Sequence, residues 1–237
     1  MSFFRGSIAI FLAVLALMTV AHSSAHAAPI TLPTGLNVGD QYRLVFVTRF
    51  ATTASSTNIA DYNTFVQAAA DASSLSALGA TWTAIGSTAT VDARDNTNTN
   101  PASTGVVIYN LNDQLVASNN ADLWDGTISA AINFDETGMT GLASDPFTGT
   151  TSSGVASANP LGSVFPDLVD TGTASAVTAE WITATGGETP GFFTRSLYAI
   201  SDVLTVQAAV PEPGALAMFG LGLAGLGFAR RRRVWAR

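Results

Sequence analysis

Eight acidic or amide side chains are concentrated in three short segments of the sequence. In chain order they are Asp92, Asp95, Asn96 and Asn98, then Asp122 and Asp125, then Asp135 and Glu136. Calcium in proteins is bound by about six to eight oxygen atoms from Asp, Glu, Asn and backbone carbonyl groups. If the fold brings these segments together they form a calcium site, although no spacing among them matches an EF-hand loop. The alternative is ordinary turn formation, in which Asp and Asn accept hydrogen bonds from nearby backbone N–H groups.

Paired carboxylates also support glycoside hydrolysis. That reaction needs two carboxyl groups about 5 to 10 Å apart, one of them with a raised pKa. Asp125 together with Asp135 or Glu136 supplies the required residue types. Because a chain with 17 acidic residues always offers some such pair, we predict a non-enzymatic domain and keep a secreted carboxylate-based glycoside hydrolase as the alternative.

Composition excludes several other chemistries. The sequence has no cysteine and no lysine, and its two histidines, His22 and His26, lie near the N-terminus. The part from Ala28 to Val210 therefore cannot form a Ser-His-Asp triad, a Cys-His pair, a histidine-ligated zinc site or a lysine Schiff base. It cannot form disulfides either, so its stability must come from a packed core, unless bound ions contribute.

The same part of the chain is strongly acidic. It contains four arginines and 16 Asp and Glu residues, which gives a formal charge of −12. Nucleic acid is excluded as a partner, because its phosphates would be repelled. Cations are the natural counterpart of such a surface, whereas the alternative is that the acidic residues only keep an exported protein soluble.

Trp124 is the predicted glycan-stacking residue. It is flanked by Asp122 and Asp125, which favours exposure of its ring, whereas Trp82 and Trp181 are predicted core residues. Core packing is nevertheless the favoured interpretation for all three tryptophans, and Trp124 is the best candidate among them for exposure. Arg94, between two aspartates, is predicted to form an ion pair that orders its loop.

Hydrophobic patterning predicts the elements that position these residues. One main helix begins at Asn58 or Asp61 and ends near Ala72, because apolar residues recur there at three- and four-residue intervals. Residues 92–101 and most of 140–178 are predicted loops. One helix with several short strands in irregular order indicates the α+β class. The predicted strands span residues 42–48, 81–85, 106–109, 114–117, 181–182, 196–200 and 203–206.

Several short motifs in the middle of the chain resemble a bacterial lectin-like domain of unknown function. They are Trp82 with Ala84 and residues 92–95, 109–112, 115–117, 121–126, 132–136 and 147–150. The resemblance covers about Tyr42 to Val206 and implies a C-type-lectin-like or endostatin-like fold. We predict separately that the domain acts in adhesion or in binding extracellular polysaccharide, since fold similarity does not establish sugar binding. The chain departs from that pattern in having no cysteines and in having Phe147 where a tryptophan is expected.

The N-terminus has the features of a secretory signal peptide, predicted to span residues 1–27. Arg5 precedes an uncharged apolar run from Ile8 to Val20. Ala25 and Ala27 are the small residues that precede a cleavage position between Ala27 and Ala28. The Sec translocon and signal peptidase are the predicted partners. Residues 28–209 are then the exported domain.

The C-terminal residues 210–237 closely resemble the PEP-CTERM sorting signal of Gram-negative bacteria. Its three parts are the motif Pro211, Glu212 and Pro213, an apolar run from Gly214 to Ala229, and the basic residues Arg230, Arg231, Arg232 and Arg233. The apolar run predicts a short transmembrane helix with its arginines on the cytoplasmic side. The resemblance implies recognition by exosortase, cleavage near the motif, transient anchoring in the inner membrane, and delivery to the cell surface or extracellular matrix. A passive matrix component without a defined ligand is a further alternative.

Overall fold

Strand β1 (Gln41–Val47) lies at the centre of the main sheet. The computed structural model describes residues 31–141, 145–163 and 167–208. Six of the seven residues of β1 are buried, in agreement with its β-branched and aromatic composition. The other strands are β2 (Thr52–Thr53), β3 (Trp82–Ala84), β4 (Val107–Asn110), β5 (Leu115–Ala117), β6 (Leu168–Val169), β7 (Thr189–Pro190), β8 (Thr194–Arg195), β9 (Tyr198–Ser201) and β10 (Leu204–Thr205).

The main sheet has the strand order β3-β9-β1-β4-β5, and β10 also pairs with the beginning of β1. Strand β1 is parallel to β4 and antiparallel to β9 and β10. The predicted hairpin is confirmed, because β4 and β5 pair antiparallel. Two further ribbons, β2 with β8 and β6 with β7, lie outside this sheet. Six of the seven predicted strands are present, with ends shifted by one or two residues.

Helix α1 (Ile59–Asp71) is the predicted main helix. Asn58 is its N-cap, and its Oδ1 atom accepts a hydrogen bond from the Ala60 N–H group at 3.2 Å. Tyr62 and Val66 are buried, as the apolar periodicity predicted. The other helices of the described residues are short: α2 (Ala93–Asn96), α3 (Asn120–Leu123) and the 3-10 helices Ser74–Leu78 and Ala179–Trp181. This mixture, mostly sheet with few helices, is consistent with the predicted α+β class.

The two faces of β1 contribute to two separate hydrophobic cores. Leu44 and Phe46 face α1, and the Phe46 ring meets Trp82 edge-on with centroids 4.9 Å apart. Val45 and Val47 face the opposite side, which is covered mainly by loops. Because successive side chains of a strand point to opposite faces, this one strand must be covered by two layers.

The loops and short helical turns that cover Val45 and Val47, here called the loop layer, include Trp124, Trp181 and Ile182. Trp181 lies at the centre of this layer and is fully buried. Its ring lies 5.8 Å from that of Trp124 and 5.7 Å from that of Tyr198, centroid to centroid. The predicted strand at residues 181–182 is wrong, because Trp181 ends a 3-10 helix and Ile182 follows it. Trp181 and Ile182 are of types common in strands, but here a helical turn buries them. A short apolar segment does not by itself distinguish a strand from a helical turn.

Strand β3 forms one edge of the sheet, and side-chain amides cover that edge. The Trp82 N–H group donates to Gln67 Oε1 at 2.7 Å, and the Ala84 N–H group donates to Asn63 Oδ1 at 2.9 Å. Asn96 Nδ2 donates to the Ala84 carbonyl at 2.8 Å. Helices α1 and α2 therefore satisfy backbone groups that a neighbouring strand would otherwise pair.

Several predictions lie outside the described residues. They are the signal peptide at residues 1–27, the motif Pro211, Glu212 and Pro213, the predicted transmembrane helix, and the arginines 230–233. Within residues 31–141, 145–163 and 167–208, no helix combines the length and the apolar composition needed to cross a bilayer.

Asn110 holds the turn between β4 and β5 and is fully buried. Its Nδ2 atom donates to Gln114 Oε1 at 2.9 Å and to the Ala131 carbonyl at 3.0 Å. Its Oδ1 atom accepts from the N–H groups of Asn112 and Gln114 at 3.0 and 3.1 Å. This amide therefore uses both donors and both lone pairs inside the protein.

We expect Asn110→Ala to lower the free energy of unfolding by about 2 to 4 kcal/mol, because a buried side chain is removed and the N–H groups of Asn112 and Gln114 and the Ala131 carbonyl lose its hydrogen bonds. Denaturant unfolding of the full chain, followed by tryptophan fluorescence, measures this loss. The matched control is Asn112→Ala, since Asn112 is exposed and contributes its backbone to the turn. Equal stability of the two variants would contradict the role of the Asn110 side chain.

Candidate functional site

The first oxygen-rich segment forms helix α2, where the sequence predicted a loop throughout residues 92–101. Asp92 Oδ1 accepts from the Ala156 N–H group at 2.8 Å, and Asp95 Oδ1 accepts from Asn100 Nδ2 at 2.7 Å. Arg94 Nη2 lies 3.8 Å from Asp92 Oδ2, so the predicted ion pair is present. The two carboxylates therefore connect this segment to its neighbours in the chain and to the loop at residue 156.

Asp122 and Asp125 each close a local turn in the second segment. Asp122 Oδ2 accepts from the backbone N–H group and the hydroxyl group of Ser118, at 2.6 and 2.8 Å. Asp125 Oδ1 accepts from the N–H group and the hydroxyl group of Thr127, both at 2.9 Å. These are the bonds that carboxylates make when they shape the chain around them.

In the third segment Asp135 is buried, with 1% of its surface exposed. Its Oδ1 atom accepts from the N–H group of Thr137 at 2.9 Å, from the hydroxyl group of Thr137 at 2.6 Å and from the N–H group of Met139 at 3.0 Å. No hydrogen bond from the described residues reaches Asp135 Oδ2. This carboxylate therefore organises the turn at residues 135–139, and one of its oxygens is left over.

Glu136, next in the chain, is also buried, with 3% of its surface exposed. Its Oε2 atom accepts from the Arg49 N–H group at 2.9 Å. Burial is the main cause that raises the pKa of Glu136, and the neighbouring Asp135 acts in the same direction. Hydrogen bonds from the backbone N–H groups of Arg49 and of Glu136 itself act against this increase.

Among the described residues, no three acidic, His or Cys side chains come together in a group that could hold a metal ion. The carboxylates of Asp92, Asp95, Asp122, Asp125 and Asp135 instead accept hydrogen bonds within their own segments or from an adjoining loop. The described residues are therefore not arranged as a calcium site, and forming one would require these turns to rearrange.

The predicted exposure of Trp124 is wrong, since only 5% of this residue is exposed. Its Nε1–H group donates to the backbone carbonyl and the hydroxyl oxygen of Thr99, at 3.1 and 2.9 Å. Gly154 packs directly against the ring, and a Cβ atom at Gly154 would lie 2.7 Å from a ring carbon. The flanking aspartates suggested exposure, but the indole is needed to fill the loop layer.

The most exposed aromatic residues among those described are phenylalanines. Phe50 is 69% exposed, whereas Phe192 and Phe193 are 56% and 53% exposed. The sequence analysis did not select any of them. The sequence did contain a signal for this exposure, since Pro190 and Gly191 come directly before the adjacent phenylalanines. A Pro-Gly pair predicts a turn, and turns lie at the surface.

Residues 190–193, here called the aromatic turn, hold Phe192 and Phe193 side by side. The two ring centroids are 4.7 Å apart, and the ring planes are tilted by 30°. The Phe193 N–H group donates to the Pro190 carbonyl at 3.0 Å, and the Ala54 N–H group donates to the Gly191 carbonyl at 2.7 Å. Strands β7 and β8 lie on either side of the turn, so its position is fixed from both directions.

Phe50 lies at a second surface feature, a pocket of about 450 Å³ between α1 and the segment that follows β1. Arg49 and Glu136 also line this pocket. Its volume is within the range of about 300 to 1,000 Å³ that is usual for small-molecule sites. The aromatic turn and this pocket are therefore two candidate binding features among the described residues.

Comparison with known families assigns the C-terminal tail. Residues 209–233 match the family model of the PEP-CTERM protein-sorting motif. This chain carries that sorting motif. The PEP-CTERM match includes Pro211, Glu212, Pro213 and the arginines 230–233, and it indicates an exported protein that is sorted by exosortase. It also implies transient anchoring in the membrane through the C-terminal region. A search of curated proteins finds no match to the chain.

Calcium should leave the thermal midpoint of the full chain unchanged to within about 1 °C, because a ligand stabilises a protein only if it binds the native state. The physical reason is that the candidate carboxylates already accept hydrogen bonds in their turns. The measurement is thermal unfolding in detergent with millimolar calcium and with chelator. A clear increase in the midpoint with calcium, removed by Asp122→Asn, would show that the acidic segments form a site.

Glu136→Gln should become more stable relative to the natural protein as pH rises from acid to neutral. Burial raises the pKa of Glu136 in the folded state. The protonated carboxyl group therefore contributes its full stabilisation at pH values below the pKa of the unfolded chain, and this stabilisation is lost as pH rises through the folded-state pKa. Glutamine cannot undergo that loss. Unfolding free energies of both proteins, measured at several pH values, test this prediction. The control is Glu188→Gln, because Glu188 is exposed. A difference that does not vary with pH would contradict the burial of an ionising carboxyl group.

Proposed function

We propose that this exported protein is a non-enzymatic adhesion module that binds extracellular polysaccharide, delivered to the cell surface or the extracellular matrix after exosortase processing. The observation that carries the proposal is the aromatic turn. The side chains of Trp82, Trp124 and Trp181 are all buried, so the most exposed aromatic rings of the described residues belong to phenylalanines.

The aromatic turn suits a polymer better than a small molecule. The two rings pack against each other with centroids only 4.7 Å apart, so together they form one exposed apolar ridge, and the apolar C–H face of a sugar can cover its outward ring face. Because the backbone of the turn is held by hydrogen bonds, little conformational entropy is lost when a ligand binds. A ridge on the surface leaves both ends of a bound chain free to continue, as a polysaccharide requires.

Strands β6 and β7 extend the apolar surface beside the turn. Their register places Leu168 opposite Pro190. Val169 and Thr189, the next pair, are buried, so Leu168 and Pro190 face outward. Leu168 is 36% exposed. The apolar surface at the turn therefore extends beyond the two rings.

The charge of the domain restricts the kind of polysaccharide. Four arginines and 16 acidic residues between positions 28 and 210 give a formal charge of −12, which repels polymers rich in uronic acids. The exposed residues Asp167 and Glu188, close to β6 and β7 in the chain, add negative charge near the aromatic turn. A neutral polysaccharide or one that bears amino groups is the class that fits.

The resemblance to a lectin-like domain agrees with this proposal and is part of it. The glycoside hydrolase alternative needs two carboxyl groups facing one cleft. Asp125 is exposed and held in its turn by Thr127, whereas Asp135 and Glu136 are buried in another segment. This arrangement favours binding over hydrolysis.

Replacing Phe192 and Phe193 together by alanine should weaken binding to insoluble neutral or amino polysaccharide by about tenfold or more, because the apolar contact area is lost. Depletion of the full chain from detergent solution by cellulose, chitosan and alginate measures the affinity. We expect binding to cellulose or chitosan, no binding to alginate, and no release of reducing ends.

The matched control is Phe50→Ala, which removes an equally exposed ring at a different place. It should leave polysaccharide binding unchanged. Equal loss in both variants would show non-specific hydrophobic adsorption and would overturn the assignment to the aromatic turn. Release of reducing ends that is abolished by a single carboxylate substitution would instead establish the hydrolase.

A further inference from the structure

The pocket between α1 and the segment after β1 has a predominantly apolar floor. Phe65 and the alanines at positions 68, 69 and 72 form the α1 side, and Phe50 borders the opening. The short alanine side chains leave a recess beside the larger phenylalanines. Because Phe50 is 69% exposed, its ring is available to cover an apolar ligand that enters this recess.

The polar side chains that line the pocket are mostly committed to other partners. Ser73 Oγ donates to the Ala70 carbonyl at 2.8 Å, and Thr137 Oγ1 donates to Asp135 Oδ1 at 2.6 Å. Glu136, when ionised, has no proton to donate, and its Oε2 atom accepts from the Arg49 N–H group. These three side chains therefore offer a ligand no free donor.

The guanidinium group of Arg49 is the exception. Arg49 is exposed and lines the pocket. No ion pair or side-chain hydrogen bond joins it to the part of the chain that the structure describes, although the charge of Glu136 attracts it. A guanidinium offers five N–H donors in a planar arrangement that matches a carboxylate.

We propose that this pocket binds a small amphipathic carboxylate, with an acyl or aromatic body on the alanine and phenylalanine floor and its carboxylate on Arg49. A sugar fits the pocket poorly, because its many hydroxyl groups would find few free partners there. The acidic surface of the domain is no obstacle to a single bound carboxylate. Exposed charges more than about 8 Å away are largely screened at physiological salt. The nearer carboxylate of Glu136 lines the pocket, but it is buried and its Oε2 atom accepts from the Arg49 N–H group, which limits its repulsion of the ligand.

Three ligands with the same apolar body test this proposal: phenylbutyrate, phenylbutanol and phenylbutylamine. Titration calorimetry of the full chain in nanodiscs, with empty nanodiscs as the blank, gives the three affinities. We expect the carboxylate to bind about tenfold or more tightly than the alcohol and the amine to bind weakest, because only the carboxylate combines a negative charge with two acceptor oxygens for bidentate hydrogen bonds from arginine.

Two variants locate the site. Arg49→Gln should remove the preference for the carboxylate and leave the affinity for the alcohol within about twofold, whereas Ala72→Leu should weaken all three ligands by filling the recess. Arg94→Gln, which removes an arginine on helix α2, is the charge-matched control and should change nothing.

The proposal is overturned if the alcohol or the amine binds as well as the carboxylate, if none of the three ligands binds, or if Arg49→Gln and Arg94→Gln have equal effects. These outcomes are independent of polysaccharide binding, since Phe192 and Phe193 are not among the residues that line the pocket.

Discussion

The burial of β1 on both faces is the constraint on which the rest of the domain depends. Its alternate residues enter two cores, and each core needs its own cover. Helix α1 covers one face in the usual way. The other face is covered mainly by loops, which must be held in place by many side-chain hydrogen bonds because they lack regular backbone pairing.

This requirement explains the polar composition of the chain. Trp124 and Trp181 provide the apolar surface that covers β1, and Thr99 satisfies the indole N–H group of Trp124. The carboxylates and amides of the neighbouring segments close the turns that carry these rings. Oxygen-rich sequence that resembles a metal-binding loop is used here to build the second layer of the domain.

The sequence could predict the elements with a clear period or a local signal. The 3.6-residue pattern of α1, its Asn58 cap, the apolar run of β1 and the β4–β5 hairpin were all recoverable. The pairing of β1 with β4, β9 and β10 could not be predicted, because it joins distant parts of the chain and depends on tertiary packing. Trp124 and the aromatic turn were missed for a related reason. The polar residues around Trp124 suggested that its ring is exposed. The ring is buried because the loop layer needs a large apolar side chain to cover β1.

The amide-covered edge of β3 has a consequence for the behaviour of the protein at high concentration. An uncovered edge strand can recruit the same strand from another copy and start a fibril. Asn63 and Gln67 occupy the positions that such a strand would take. Many copies of this domain can therefore be crowded together without promoting amyloid-like polymerisation along this edge of the main sheet.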